Sequence, residues 1–565
     1  MKKAIQPEDN DPTVGEPVAQ ALSRPISRRT LLKGALASAP LLISPTLLLP
    51  RKASAASNMG PSTTTEPYLV PTIPGVKFVS ILTVGDSIGG YRMVGIPDGL
   101  GLFNSSKTEF TVLMNHEINP TATPSNPGIV RKHGSNGAFV SRWTIDRKTL
   151  KVLTGQDLTP SGEKVHLWDP TISNYEANGR TTQWRRLCSA DLPTESALFG
   201  KGRGTHDRIF FDGEEVSEVD SARAWARIVT GPHAGEAWQL PRLGRMSYEN
   251  VVACPHSKDK TVVLLTDDGD LSTAATTTGF PSEVYVYIGE KAKFGHPIQQ
   301  AGFTNGDFYG VQVVLNGAVV TEESDLFGLG VTATGFIGKA RFRLVNLGDV
   351  SNLTQRQIED ISIANNITRF RRPEDSAWDP RKGEKHRNDA YFVTTSDINT
   401  NCRLWRLRFD DVRKDPEKGG TIEILLHGDE GHRMLDNVTI DPFGRVVMDE
   451  DPGNNARVSK IWLYQIETGE FVQVAQHNPK FFDPTILNNS SFITQDEESS
   501  GIIDASDVLG DGWFLVDVQA HLVVNPLIDP ELVEGGQLLA MYIDPKIGGG
   551  GKRDPEDDED DEDEE

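Results

Sequence analysis

Carboxylates gather at the ends of strand-like segments of this chain, and one arginine stands beside another pair of them. Glu117 closes the run Met114-Asn115-His116-Glu117, and Glu214 and Glu215 close Asp212-Gly213-Glu214-Glu215. Asp267, Asp268 and Asp270 share Thr266-Asp267-Asp268-Gly269-Asp270, while Asp449, Glu450 and Asp451 follow Met448. Glu249, in Ser247-Tyr248-Glu249-Asn250-Val251-Val252, precedes the third strand of the set and can point to the same side. Converging like charges repel, so such a set coexists when a hard cation or a cationic substrate neutralises it. Calcium takes about six to eight oxygen ligands and suits a ring of Asp, Glu and carbonyls. Zinc would call for more histidine. Any one of these acids also has a plain role, because acids after strands commonly form turns. The metal reading rests on the set.

Phe370-Arg371-Arg372-Pro373-Glu374-Asp375 is the most distinctive segment. Pro373 restricts the backbone between a cation and two carboxylates. A guanidinium beside metal ligands suits an anionic oxygen, above all phosphate, which it grips with two parallel hydrogen bonds. The alternative for Arg372 and Glu374 is a surface salt bridge in a turn. His116 could ligate a metal, contact substrate as an acid, or simply tie down a loop. Asp496 to Asp504 reads as an acidic turn that could bind an ion, with exposure to solvent as its default role. The chain has no P-loop or dinucleotide fingerprint.

The elements that must position these groups are short strands in pairs. A mostly apolar run such as Thr261-Val262-Val263-Leu264-Leu265 precedes a mixed one such as Glu283-Val284-Tyr285-Val286-Tyr287-Ile288. Six such pairs occur, and the first strand of each reads as the inner one. The pattern predicts an all-β fold, a six-bladed β-propeller over 76–545 with long loop insertions in 120–205 and 290–388. A pair of packed sheets is the alternative. Helical spacing over Thr354 to Thr368 predicts one short helix. The strand ends at Asp397 and Asp517 rank below the others as ligands.

Residues 1–55 read as a twin-arginine signal peptide: Ser27-Arg28-Arg29 precedes the apolar run Gly34 to Leu49, and Ala53-Ser54-Ala55 is a small-residue cleavage signal. The expected location is periplasmic or extracellular, reached through the twin-arginine export machinery, with no stable membrane span in the mature chain. Residues 56–75 read as a linker or edge-packed arm, and 546–565 as a disordered acidic tail. The net charge of −23 falls to −12 without the eleven carboxylates of Asp554 to Glu565, so the folded body is itself acidic and a nucleic-acid partner is disfavoured. Cys188, Cys254 and Cys402 are scattered, form no disulfide framework and show no Cys-x-x-Cys spacing, so a thiolate metal site is not expected.

Together these segments resemble the PhoX-type secreted alkaline phosphatases. The resemblance is carried by the twin-arginine signal, Asn115-His116-Glu117, Gly213-Glu214-Glu215, Tyr248-Glu249-Asn250, Thr266-Asp267-Asp268, Arg372-Pro373-Glu374-Asp375 and Asp449-Glu450-Asp451-Pro452-Gly453. It implies a six-bladed propeller that hydrolyses phosphomonoesters at a central site of calcium ions and an iron centre. By that match Glu214, Glu249 and Glu374 bind metal and Arg372 contacts phosphate; Asp267 and Asp268 match less closely. With Glu117 and Asp449 they form the expected metal set, and His116 stands beside it as a substrate contact. The family pattern has an iron-binding cysteine just before the paired glutamates. Gly213 stands there in this chain, so calcium is the expected metal and iron is in doubt. The implied partner is a phosphorylated small molecule. Two other readings stay open: a non-catalytic calcium-binding scaffold, and a calcium-dependent esterase or lactonase.

Overall fold

The computed structural model describes residues 58–120, 129–216, 222–269, 281–326, 339–522 and 529–549. The segment expected to be a signal peptide, Asp270 and the tail from 550 lie outside them. Twelve strands matter most for the site. They are β1 (Pro97–Asn104), β2 (Glu109–His116), β3 (Leu187–Asp191), β4 (Ile209–Glu214), β5 (Tyr248–Ala253) and β6 (Lys260–Asp267). The second half contributes β7 (Pro373–Trp378), β8 (Asp389–Thr394), β9 (Leu435–Ile440), β10 (Arg445–Glu450), β11 (Glu497–Asp504) and β12 (Trp513–Ala520).

Each odd-numbered strand pairs antiparallel with the even-numbered one after it, and each pair opens an antiparallel sheet. β1 and β2 continue into Phe139–Asp146 and Val152–Asp157. β3 and β4 continue into Ala224–Ile228 and Ala237–Gln239. The sheets begun by β5 and β7 meet edge to edge, where Ala340–Gly348 pairs with Gly420–Leu426, and so form one eleven-stranded sheet. The sheet begun by β9 ends on Leu69–Pro71, and the one begun by β11 takes in Val76–Thr83, with Val76 opposite Ile543. The beginning and end of the folded body are thereby joined through backbone hydrogen bonds.

The strands β1, β3, β5, β7, β9 and β11 touch their neighbours in a closed ring, with β11 returning to β1. This corrects the expectation that the apolar first strand of each pair is innermost: those runs are β2, β4, β6, β8, β10 and β12, one place further out. They are aliphatic because both their faces are buried; seven of the eight residues of β6 are. The inner strands are polar where they meet the ring's interior, as in Leu187-Cys188-Ser189-Ala190-Asp191 and Glu497-Glu498-Ser499-Ser500. Hydrophobic periodicity therefore passes over them. The segment after Arg372 and the acidic turn expected at 496–504 are two of these inner strands.

The expected helix is α1 (Gln355–Ala364), closed at its start by a capping box in which Thr354 and Gln357 exchange hydrogen bonds of 2.9 and 3.2 Å. No helix among the described residues is long and apolar enough to cross a membrane.

Candidate metal and anion site

One position recurs around the ring. The second residue of every inner strand can ligate a metal: Asp98 in β1, Cys188 in β3, Glu249 in β5, Glu374 in β7, Asp436 in β9 and Glu498 in β11. A second position recurs beside it. The residue immediately after the next strand is Glu117 after β2, Glu215 after β4, Asp268 after β6, Asp451 after β10 and His521 after β12, with Thr395 after β8. All of these except Asp98 and Thr395 line a cavity of about 510 Å³, together with Arg186, Arg372 and Glu534. Nine acidic side chains face two arginines and one histidine there, so acids outnumber bases three to one.

This register separates the expected site residues. Glu117, Glu249, Asp268, Arg372 and Glu374 come together in the cavity; Glu214, Asp267, Asp449 and His116 do not. Side chains alternate along a strand, so a shift of one residue reverses direction. Glu214, the last residue of β4, turns to Arg223 at 2.6 Å and to the indole of Trp225, while Glu215 reaches the cavity. Asp267, the last of β6, accepts from the Ser247 amide at 2.9 Å, and Asp268 faces inward. Asp449 accepts from the Asn437 amide at 2.8 Å, and Asp451 takes the cavity position. His116 is buried, bonds Ser141 Oγ at 2.9 Å and stacks on Phe139; burial pushes its pKa down to about 3, so it is a neutral packing residue. Asp397 is tied up in its own turn with Asn399 and Thr400, and Asp517 accepts from the Gly501 amide. Asp98, Cys188, Asp436, Arg186, His521 and Glu534 are not among the residues the sequence singles out. The signal that could have found them is the repeated offset from the even-numbered strands.

The ligand atoms form a string. Asp98, Glu117 and Cys188 lie within 4.8 Å of one another, as do Cys188, Glu215 and Glu249, then Glu249, Glu374 and Asp436, then Asp436, Asp451 and Glu498. Each triad shares a residue with the next. Around them, Ser189 Oγ donates to Glu249 at 2.6 Å and the Cys188 thiol donates to Asp98 and Glu249 at 3.5 and 3.4 Å. Gln519 Nε2 bridges Asp98 and Glu117 at 3.0 Å each. Arg372 forks onto Asp268 at 2.7 and 2.8 Å and reaches Glu374 at 3.0 Å. Arg186 spans Glu117 at 2.6 Å and Glu215 at 2.7 Å. His521 lies between Glu534 at 2.7 Å and Glu498 at 3.6 Å; these two carboxylates outweigh its burial and raise it to about 12, so it adds a positive charge. One other metal-type group occurs among the described residues, His233, Glu236 and His296, outside this cavity; there Lys164 already pairs with Glu236 at 3.2 Å.

Cys188 changes the expectation about thiolate ligands. All three cysteines are unpaired and buried, and Cys188 belongs to the first two triads. Gly213, by contrast, has no room for a larger residue: a Cβ there would fall 2.2 Å from Tyr248 Cβ. Gly213→Cys is therefore expected to destabilise the fold by about 2 kcal/mol or more through overpacking, read as a lower urea midpoint, without adding bound metal.

Burial, then the neighbouring acids, holds Glu249, Glu374 and Asp436 well above the usual carboxylate range, and burial with Glu498 lifts Asp451 to about 8. The metal-free folded chain thus keeps protons that the unfolded chain releases near pH 4. Their contribution to stability is present at low pH and is lost as pH rises from about 4 through 8. Chelated protein is expected to melt at progressively lower temperature between pH 5 and 8.5. Saturating calcium should flatten that dependence, because the cation replaces the protons.

Among solved structures, the chain resembles Pseudomonas fluorescens PhoX in complex with vanadate, with a TM-score of 0.54 at 12% identity, covering 85% of this chain and 96% of that one. That likeness shows a distantly shared fold. A GH43_1 enzyme from Xanthomonas citri (TM-score 0.27, 9% identity, 63% and 86% covered) and an aldose sugar dehydrogenase from Streptomyces coelicolor (TM-score 0.25, 8% identity, 63% and 98% covered) are too remote to add to it. No family model matches the chain, and no curated protein matches it in sequence.

Proposed function

We propose that the six strand sets opened by β1, β3, β5, β7, β9 and β11 are the blades of a propeller and that its central cavity is a metal-dependent phosphomonoester hydrolase site in an exported protein. The observation that carries this reading is the string of four overlapping ligand triads built from equivalent positions of the blades, with Arg372 held beside it. The Asp436, Asp451 and Glu498 end offers only oxygen and suits calcium. The Cys188, Glu215 and Glu249 end adds a sulfur ligand and fits a softer ion such as iron. Bound there, the cations would neutralise the carboxylates, polarise phosphoryl oxygens and activate a water.

The residues themselves do the positioning. Asp268 takes the Nε and Nη2 of Arg372 and Glu374 takes the same Nη2, so its guanidinium is fixed before substrate arrives and costs little to align. It remains 27% exposed to the cavity and can donate to the non-bridging oxygens of a phosphoryl group. Gln519 and Ser189 orient Glu117 and Glu249, the hydrogen-bonded outer shell a metal site needs. The test is metal analysis of the protein exported by its own route, combined with hydrolysis of a chromogenic phosphomonoester. Calcium together with turnover supports the reading. Bound metal with no turnover on a panel of phosphomonoesters overturns it in favour of a calcium-binding scaffold. Iron lost in Cys188→Ser, with calcium retained, would assign the sulfur end.

A further inference from the structure

We propose that Arg186 is a second anion-contacting residue, the counterpart of Arg372, and that the cavity selects fully ionised phosphomonoester dianions by gripping them with two guanidiniums; this rests on the phosphomonoester reading above. The two arginines occupy equivalent places. Each is the residue immediately before an inner strand, Arg186 before β3 and Arg372 before β7. Each holds a left-handed backbone, at φ 39° and 52°, a conformation that non-glycine residues adopt at a cost and that concentrates at functional sites. Each pairs with the acid that follows the second strand of the preceding blade, Arg186 with Glu117 and Arg372 with Asp268. Each then takes a second carboxylate from its own blade, Glu215 or Glu374.

A purely structural arginine would be sealed between its partners. The two carboxylates of Arg186 are each 8% exposed, whereas its own side chain is 43% exposed and lines the cavity. Nε and Nη2 are engaged with them, so donors of the planar fork remain for a ligand. Glu215 also contributes to the field at Arg372, so one carboxylate couples the two cations. A phosphomonoester dianion presents three charge-bearing oxygens, enough for metal and both guanidiniums together. A diester has one of these blocked and one charge fewer, so it forfeits one of the contacts.

The test is calorimetry of inorganic phosphate on calcium-loaded full-length protein, beside kinetics on p-nitrophenyl phosphate and bis(p-nitrophenyl) phosphate. Arg186→Gln is expected to weaken phosphate binding and raise KM for the monoester at least tenfold. Its kcat should fall less than KM rises, its bound metal should stay unchanged, and the preference for monoester over diester should narrow. Arg186→Lys, which keeps the charge without the fork, should fall between. Unchanged phosphate affinity in Arg186→Gln, or a loss that tracks loss of metal, overturns the proposal while leaving hydrolysis by the wild type intact. Phosphate binding that depends on Arg186 in a protein with no turnover would sustain the anion site and sink the phosphatase reading. A wild type that neither binds nor hydrolyses defeats both.

Discussion

Arg372→Ala is expected to lower kcat for p-nitrophenyl phosphate by about 10³, the scale of removing a preorganised charged donor from a transferring phosphoryl group. The reason is the way the guanidinium is held. Asp268 and Glu374 hold its Nε and Nη2 between them, so no reorientation is spent when charge develops on the phosphoryl oxygens. Those two acids also mean that Arg372→Ala removes a counter-charge from the cavity. Without metal the variant should therefore melt below the wild type. With saturating calcium the two should come together, because a bound cation supplies the lost charge. Arg372→Lys keeps the charge but cannot reproduce the fork, and should recover less than a tenth of the rate. Turnover of Arg372→Ala above a tenth of wild type would take this arginine out of the reaction.

Removal of metal should abolish turnover and lower the melting temperature by about 10 °C. A ligand present at a thousandfold excess over its Kd stabilises by about 4 kcal/mol per site, and the string has room for several ions. The same argument gives a prediction of opposite sign. Asp436→Asn and Glu374→Gln keep the shape of two shared ligands and remove one negative charge each. In chelator they should raise the melting temperature above the wild type, because Glu249, Glu374 and Asp436 repel one another when ionised. In calcium they should lose much of the wild-type gain. Differential scanning calorimetry with and without chelator reads both effects. A wild type whose melting temperature is indifferent to chelator would remove metal from this cavity altogether.

The site was partly legible before any coordinates. Glu117, Asp268 and Arg372 stand out in sequence because each interrupts or follows a recognisable segment, and all three reach the cavity. Glu214 and Asp267 stand out for the same reason and do not reach it, because alternation along a strand sends neighbouring residues to opposite sides, while Asp449, two places before Asp451, is held by the Asn437 amide. A run such as Gly213-Glu214-Glu215 shows that an acid will be delivered but not which one. The missed ligands have a different cause. Asp98, Cys188 and Asp436 sit in strands whose polar faces look into the ring, so they lack the apolar alternation by which strands are recognised.

The amino-acid order by itself determined the all-β character, the repeated pairing of strands, the capped helix α1 and the acidic excess. These are local properties: β-branched runs, turn residues, helical spacing and a count of charges. Tertiary structure alone decided which strands line the centre, which of two adjacent carboxylates faces it, and that Cys188 joins the acids although Gly213 stands where the thiol was expected. Those outcomes depend on strand register and on contacts between residues as far apart as Asp98 and Gln519, and neither is written in any single segment. The physical reason is that charge convergence is a property of the closed ring. Each pair of ring strands contributes only one or two candidate ligands, and they converge when the first and last sheets join.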